Sequence, residues 1–434
     1  MNCNKLFALL ILALPLSLAA QNFKYSISAD DADCMRKIGE KTTFTVTVLN
    51  ADGTTASNGT VKATIDNFGP LLQSEKNFDI SKSNPFTISG TLNEPGFLRL
   101  TLLEENSKRK DFSVGYEPEL ITKASPSPAD FDEFWANAKA KLAQTVPLDP
   151  VITPYKDQST EDFNFYKISF ATFGRRVYGY LTVPKAKTPS KFPIMISVNS
   201  AGMHRWSNNL TGRKNAIMVQ FSVFDWHMDK KWESLGYMKR YNDLNARCKK
   251  DGPSLTYAAH GISISKEDYF FYPVILGIDR AIDWLAKVFP VDKNRFLYQG
   301  TSQGGGFGYY LCALNKNFTH GAFIVPAITD TMGYLKNRQS GWPKIIEKNS
   351  HTKEAKVIAE KNAPYFDGAN FASRITCKVR VVVGLSDVTC PPNAVYASYN
   401  EIPSKDKKIL YGIDMTHSCR REFYEKLETW LMPN

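Results

Sequence analysis

The sequence predicts an α/β fold, a mostly parallel doubly wound sheet, with a small all-β sandwich of immunoglobulin-like type in front of it. Three observations carry that expectation. Residues 21–116 hold apolar runs of period two separated by turn clusters, and from residue 117 onward strand-like and helix-like stretches alternate. One strand-like run, Arg295-Phe-Leu-Tyr-Gln299, also passes through Gly300-Thr301-Ser302-Gln303-Gly304 straight into a helix-compatible segment ending near Leu314.

At 434 residues the chain exceeds one ordinary domain, and 43% hydrophobic with 22% charged residues is the composition of a globular protein with a sizeable core. Residues 1–20 combine one lysine, a short leucine-rich stretch and a small-residue end, the pattern of a secretory signal peptide, too short and one-sided for a spanning helix. No later stretch is long and apolar enough to span, so the expected location is secreted or periplasmic. Cys3 precedes the apolar stretch and so cannot be the lipidated cysteine that would follow it.

The formal charge of +11 invites an anionic partner, but no Arg/Lys stripe interleaved with aromatics accompanies it, which argues against nucleic acid and leaves an acidic glycan open. Besides Cys3 the chain has Cys34, Cys248, Cys312, Cys377, Cys390 and Cys419, too sparse for a disulfide-stapled module or a zinc site. Cys390 and Cys419 each lie just past a candidate catalytic residue, and either a bridge between them or two buried thiols fits that placement.

The sandwich domain, residues 21–116, is expected to contain Thr43-Phe-Thr-Val-Thr-Val-Leu49, Val61-Lys-Ala-Thr-Ile65, Phe86-Thr-Ile-Ser89 and Phe97-Leu-Arg-Leu-Thr-Leu-Leu103 as strands. It carries no group suited to catalysis; positioning, stabilisation or glycan contact are its options. A proline-rich linker at 117–129 opens the catalytic domain, 117–434. Pro128 and the acidic residues after it suit a helix start, with Phe131, Phe134 and Trp135 on one apolar face. Residues 163–170 and 176–183 read as a leading antiparallel hairpin, 192–198 as a central buried strand, and 272–289 as an amphipathic helix. Residues 322–325, 379–383 and 408–411 continue the sheet, 329–374 reads as a polar insertion above it, and 422–431 closes with a helix.

Strand, Gly-x-Ser-x-Gly and helix together describe a nucleophile elbow, the signature of an α/β-hydrolase fold, with Ser302 at its tip. Such a serine needs a histidine to take its proton and an acid to orient that histidine, in the chain order Ser, Asp, His. The 379–383 run leads into Gly384-Leu-Ser-Asp387 and the 408–411 run into Gly412-Ile-Asp-Met-Thr-His417, which puts Asp387 and His417 at the carboxyl edge of the sheet, where catalytic loops gather. Asp414 is the rival acid, too close in sequence to His417 to be preferred. The oxyanion donors expected are the backbone N–H groups of Gln303 and of Ala201, in the loop after the 192–198 strand. His204, His227, His260, His320 and His351 read as structural or surface groups. Asp225, His227 and Asp229 alternate, but without a second histidine they make a poor metal site. No metal and no cofactor is expected.

Gly-Thr-Ser302-Gln-Gly-Gly-Gly, together with Gly384-Leu-Ser-Asp387-Val-Thr-Cys-Pro-Pro392, resembles the acetyl xylan esterase and cephalosporin C deacetylase family of α/β-hydrolases. Asp130-Phe-Asp-Glu-Phe-Trp135, Phe173-Gly-Arg-Arg-Val-Tyr-Gly-Tyr180 and His260-Gly-Ile resemble that family's entry helix, first hairpin and the segment before its long helix. The resemblance spans about residues 117–434 and leaves the first domain uncovered. It departs at Asn199-Ser200, where the family has a His-Gly pair, at the missing Arg-Gly-Gln motif near 221–229, and at Ser418 in place of a glutamate. It implies a secreted serine esterase removing acetyl or other small acyl groups from carbohydrate. The alternatives are a broader carboxylesterase or peptidase of the same fold, and a catalytically silent glycan-binding protein.

Overall fold

The structure is a computed structural model that describes residues 23–103, 109–185, 190–203, 215–228 and 236–432. Residues 1–20, expected to be a leader, and Cys3 among them lie outside the described residues, as do His204 and Asp229.

Among the described residues eight strands form the N-terminal part: β1 (Lys24–Ala29), β2 (Met35–Arg36), β3 (Thr42–Leu49), β4 (Thr60–Asp66), β5 (Leu71–Asp79), β6 (Phe86–Gly90), β7 (Gly96–Leu103) and β8 (Arg109–Tyr116). They make a three-stranded sheet β1-β3-β6 and a five-stranded sheet β2-β8-β7-β4-β5. β3 alternates buried and half-buried residues, as one covered face requires. β7 is buried along nearly its whole length, so both its faces are covered, and its Phe97 meets Tyr396 of the larger part of the chain.

Beyond a short 3-10 turn at Pro118–Leu120, the remaining strands are β9 (Val151–Pro154), β10 (Phe163–Thr172), β11 (Arg175–Pro184), β12 (Phe192–Val198), β13 (Ile217–Ser222), β14 (Val291–Thr301), β15 (His320–Ile324), β16 (Lys378–Gly384) and β17 (Lys407–Gly412). Among the described residues they form one sheet, β17-β16-β15-β14-β12-β13-β11-β10-β9. β12 through β17 pair in parallel, while β11, β10 and β9 run antiparallel at one edge. This is the α/β-hydrolase arrangement, with a small antiparallel β-rich region ahead of it.

The helices are α1 (Phe131–Thr145), α2 (Tyr237–Asp251), α3 (Tyr272–Val288), α4 (Gln303–Leu314), α5 (Ile345–Lys348), α6 (Lys353–Asn362), α7 (Gly368–Ala372), α8 (Pro392–Asn400) and α9 (Arg421–Leu431). Because side chains alternate along a strand, each central strand feeds two cores. Ile194, Ile196, Phe296 and Tyr298 face the core shared with α3 and α4, whereas Met195 and Leu297 face the one closed by Phe423, Leu427 and Leu431 of α9. None of the described helices is long and apolar enough to cross a membrane.

Two details differ from the sequence reading. Pro128 lies before α1, its carbonyl accepting the Phe131 N–H, and the apolar face of the helix docks Trp135 Nε1 on the Tyr365 carbonyl at 3.2 Å. The 329–374 stretch, which carries α5, α6 and α7, is also less peripheral than expected: residues 329–333 and 362–372 are largely buried, and α7 packs on α4.

The order of strands reverses at β12, which has β13 on one side and β14 on the other. A crevice therefore opens at the carboxyl ends of β12 and β14, the place where open α/β sheets bind ligands.

Candidate active site

Ser302 follows β14 at that crevice with φ 57° and ψ −118°, a conformation unfavourable for a residue with a Cβ. The surroundings hold it there. Its N–H donates to the Ile324 carbonyl at 2.8 Å, and its own carbonyl accepts from Gly306 and Ala327, both at 3.0 Å. The buried Tyr298 hydroxyl donates to the Gly304 carbonyl across the bend. The flanking glycines are obligatory, because a Cβ on Gly300 would collide with the carbonyl of Gly304, and one on Gly304 with that of Val198.

The histidine and the acid arrive from neighbouring strand ends. His417 Nε2 lies 2.9 Å from Ser302 Oγ, and its Nδ1 lies 2.8 Å from Asp387 Oδ2. Only one neutral tautomer satisfies both contacts, with the proton on Nδ1 and the lone pair of Nε2 facing the serine hydroxyl. Asp387 is fully buried, Ser302 is 8% exposed and the imidazole is about one-third exposed, so the line of groups runs from the interior out to the crevice. Asp414 turns away to pair with Arg420 at 3.0 Å on the surface.

The loop after β12 is tied to the elbow. Ser200 Oγ donates to the Thr301 carbonyl at 3.0 Å, and Gln303 Nε2 donates to the Asn199 carbonyl at 3.0 Å. Tyr257 closes the circuit: its hydroxyl accepts from the Gly202 N–H at 3.1 Å and donates to Gln303 Oε1 at 2.8 Å. Gln303 is the first residue of α4, where a backbone N–H has no carbonyl of its own helix to bond. Half-buried Ala201 sits between the two anchored residues Ser200 and Gly202. Sequence reasoning passed over Tyr257; its only signal was its position three residues before the quoted His260-Gly-Ile.

Asp387, Cys390 and His417 present ligand atoms within 4.8 Å of one another. The hydrogen bonds of Asp387 with His417 Nδ1 and with the Cys390 N–H account for that proximity, and burial beside the Asp387 carboxylate pushes the Cys390 thiol well up. Cys390 and Cys419 are free, with the Cys419 thiol directed at the Arg420 carbonyl. The other described histidines lie elsewhere. His227 Nε2 contacts the Ile168 carbonyl at 3.2 Å, His260 pairs with Asp251 at 2.6 Å, His320 contacts Thr319 at 2.9 Å, and His351 is exposed.

Residues 119–433 match the family described as acetyl xylan esterase (AXE1). The acetyl esterase Axe7A of Xylanibacter ruminicola is 28% identical over 348 residues, which cover 79% of this chain and 75% of that protein. The fold is shared with an acetyl xylan esterase from Paenibacillus sp. R4 (TM-score 0.60, 20% identity, 73% of this chain and 98% of the other). It is likewise shared with acetyl xylan esterase 1 from Thermoanaerobacterium sp. JW/SL YS485 (TM-score 0.59, 23% identity, 73% and 96%). With the family match covering most of its length, the chain belongs to the acetyl xylan esterase family and is a carboxylic ester hydrolase.

Proposed function

We propose that this protein is an exported serine esterase that removes acetyl or comparably small acyl groups from carbohydrate through an acyl-enzyme on Ser302. The observation that carries the reading is the continuous hydrogen-bonded line from Asp387 through His417 to Ser302 at the switch point of the sheet. His417 takes the Ser302 proton as the oxygen attacks the ester carbonyl, and Asp387 stabilises the imidazolium that results. The developing oxyanion is met by the N–H groups of Gln303 and Ala201, each such donor contributing about 3 kcal/mol. Collapse of the tetrahedral intermediate breaks the bond from the acyl carbon to the sugar oxygen, which leaves as the free hydroxyl by taking the proton from His417. Water activated by the same imidazole then releases the acid and restores the serine.

Carbohydrate as substrate rests on family membership and on the acetyl esterase relative. Export rests on the leader-like residues 1–20. Incubation with acetylated xylan, acetylated oligosaccharides and methyl-ester uronates tests the reading: acetate release from the first two supports it, whereas methanol release alone would replace it with a methylesterase.

A further inference from the structure

We infer that the N-terminal sandwich is part of the catalytic apparatus, with Ser113 and the turn at residues 67–69 acting as positioning elements for Asp387. The inference rests on the proposed role of Asp387 and goes beyond it, because it gives a function to a domain that carries no catalytic group of its own.

Residues 385–391, which carry the acid, are held from two sides. On the inner side Leu385 N–H donates to Gly412 O and Ser386 N–H to Met415 O, each at 3.0 Å, which joins this loop to the one bearing His417. On the outer side the partners come from the sandwich, either directly or through Gln339. Ser113 on β8 is fully buried, and its hydroxyl donates to the Leu385 carbonyl, two residues before Asp387. The Phe68 carbonyl accepts the Gln339 N–H at 2.6 Å, and Gln339 Nε2 donates to the Val388 carbonyl at 2.7 Å, one residue after Asp387. Asn67 O accepts from Asn393 Nδ2 at 2.8 Å, and the Phe97 ring lies 5.4 Å from Tyr396, both partners being on α8, which follows the acid loop.

The turn itself is built for rigidity. Phe68 has φ 62° and is buried; its N–H donates to Asp66 Oδ1 at 2.8 Å, and the Arg99 guanidinium lies 4.3 Å above its ring. Arg99 grips both oxygens of Asp66 at 2.8 Å, a nearly buried bidentate pair whose desolvation is costly and whose gain is fixed geometry. The carbonyls on either side of Asp387 are thus referenced to the sandwich. Catalytic hydrogen bonds lose effect when displaced by fractions of an ångström, so the hold on residues 385 and 388 reaches His417 through the carboxylate.

The test uses the full chain and p-nitrophenyl acetate. Ser113→Ala and, independently, Gln339→Met are expected to lower kcat about tenfold with KM little changed, in protein whose thermal unfolding remains cooperative. Ser113→Thr, which keeps the hydroxyl, is expected to recover most of the loss. Each loss is expected to vanish in an Asp387→Ala background, where the group being positioned is gone. Wild-type kcat in both single variants, or losses that multiply with that of Asp387→Ala, would overturn the inference and leave the proposed catalytic line untouched. Wild-type kcat in Asp387→Ala itself would instead remove the reading on which it stands.

Discussion

Asp387 divides its two oxygens between its own loop and His417. Oδ1 accepts the N–H groups of Thr389 and Cys390 at 2.8 and 2.9 Å, while Oδ2 faces His417 Nδ1 at 2.8 Å. One carboxylate therefore shapes the loop and selects the imidazole tautomer. The two roles separate by substitution. Asp387→Asn keeps an acceptor for the loop but can offer an N–H to Nδ1, so kcat is expected to fall by about 10⁴ with little change in melting temperature. Asp387→Ala is expected to lose as much activity and also about 1–3 kcal/mol of stability, because the buried Cys390 N–H and the half-buried Thr389 N–H lose their acceptor. Activity and urea denaturation on the same preparations check this.

Tyr257 bridges the two halves of the expected oxyanion site. Its burial pushes the phenol far above its usual range, so it stays a neutral hydroxyl that both accepts from Gly202 and donates to Gln303. Tyr257→Phe removes both bonds at once. The expected result is a kcat lowered about tenfold, with a stability loss of about 1–3 kcal/mol from the stranded Gly202 N–H and Gln303 Oε1. Steady-state kinetics with p-nitrophenyl acetate read out the first, chemical denaturation the second.

The Ser302 backbone stores strain that glycine would not feel. At φ 57°, ψ −118° a Cβ costs on the order of 1–3 kcal/mol. Ser302→Gly is therefore expected to be inactive yet more stable than Ser302→Ala by about 1 kcal/mol, after glycine's own entropic penalty. Paired urea titrations of the two variants measure the difference.

Asp367 makes stability depend on pH. Burial and the nearby Asp330 raise its pKa from 3.8 to about 6, outweighing the N–H donors of Asp330, Thr331 and Ala369 and the Thr331 hydroxyl. A raised carboxyl pKa favours the folded state below the unfolded value and withdraws that contribution as pH climbs through the folded one. Unfolding free energy is thus expected to lose up to ~3 kcal/mol between pH 4 and 7 from this group, and Asp367→Asn to flatten that part of the profile. Denaturant midpoints across the range decide it.

How far these features could be read in advance depends on whether their signals are local. Ser302, Asp387 and His417 each follow a short apolar run at the end of a strand, so the strand ends named the groups that the fold brings within hydrogen-bonding distance. β5, Leu-Leu-Gln-Ser-Glu-Lys-Asn-Phe-Asp, is an edge strand without an apolar period, and α2 buries only Cys248, so neither left a pattern to find. Tyr257 is one aromatic among many until Gly202 and Gln303 are seen beside it. The contact of Ser113 with Leu385 joins residues 272 positions apart, and no periodicity encodes it.

The comparison that bears most directly on nucleophilic catalysis by Ser302 is kcat/KM for p-nitrophenyl acetate in wild type, Ser302→Ala, His417→Ala and the double variant. The expected result is a loss of at least about 10³-fold in each single variant, with the double variant no worse than either, because the two groups act as one unit. A Ser302→Ala protein that hydrolyses the ester within about tenfold of wild type would contradict it.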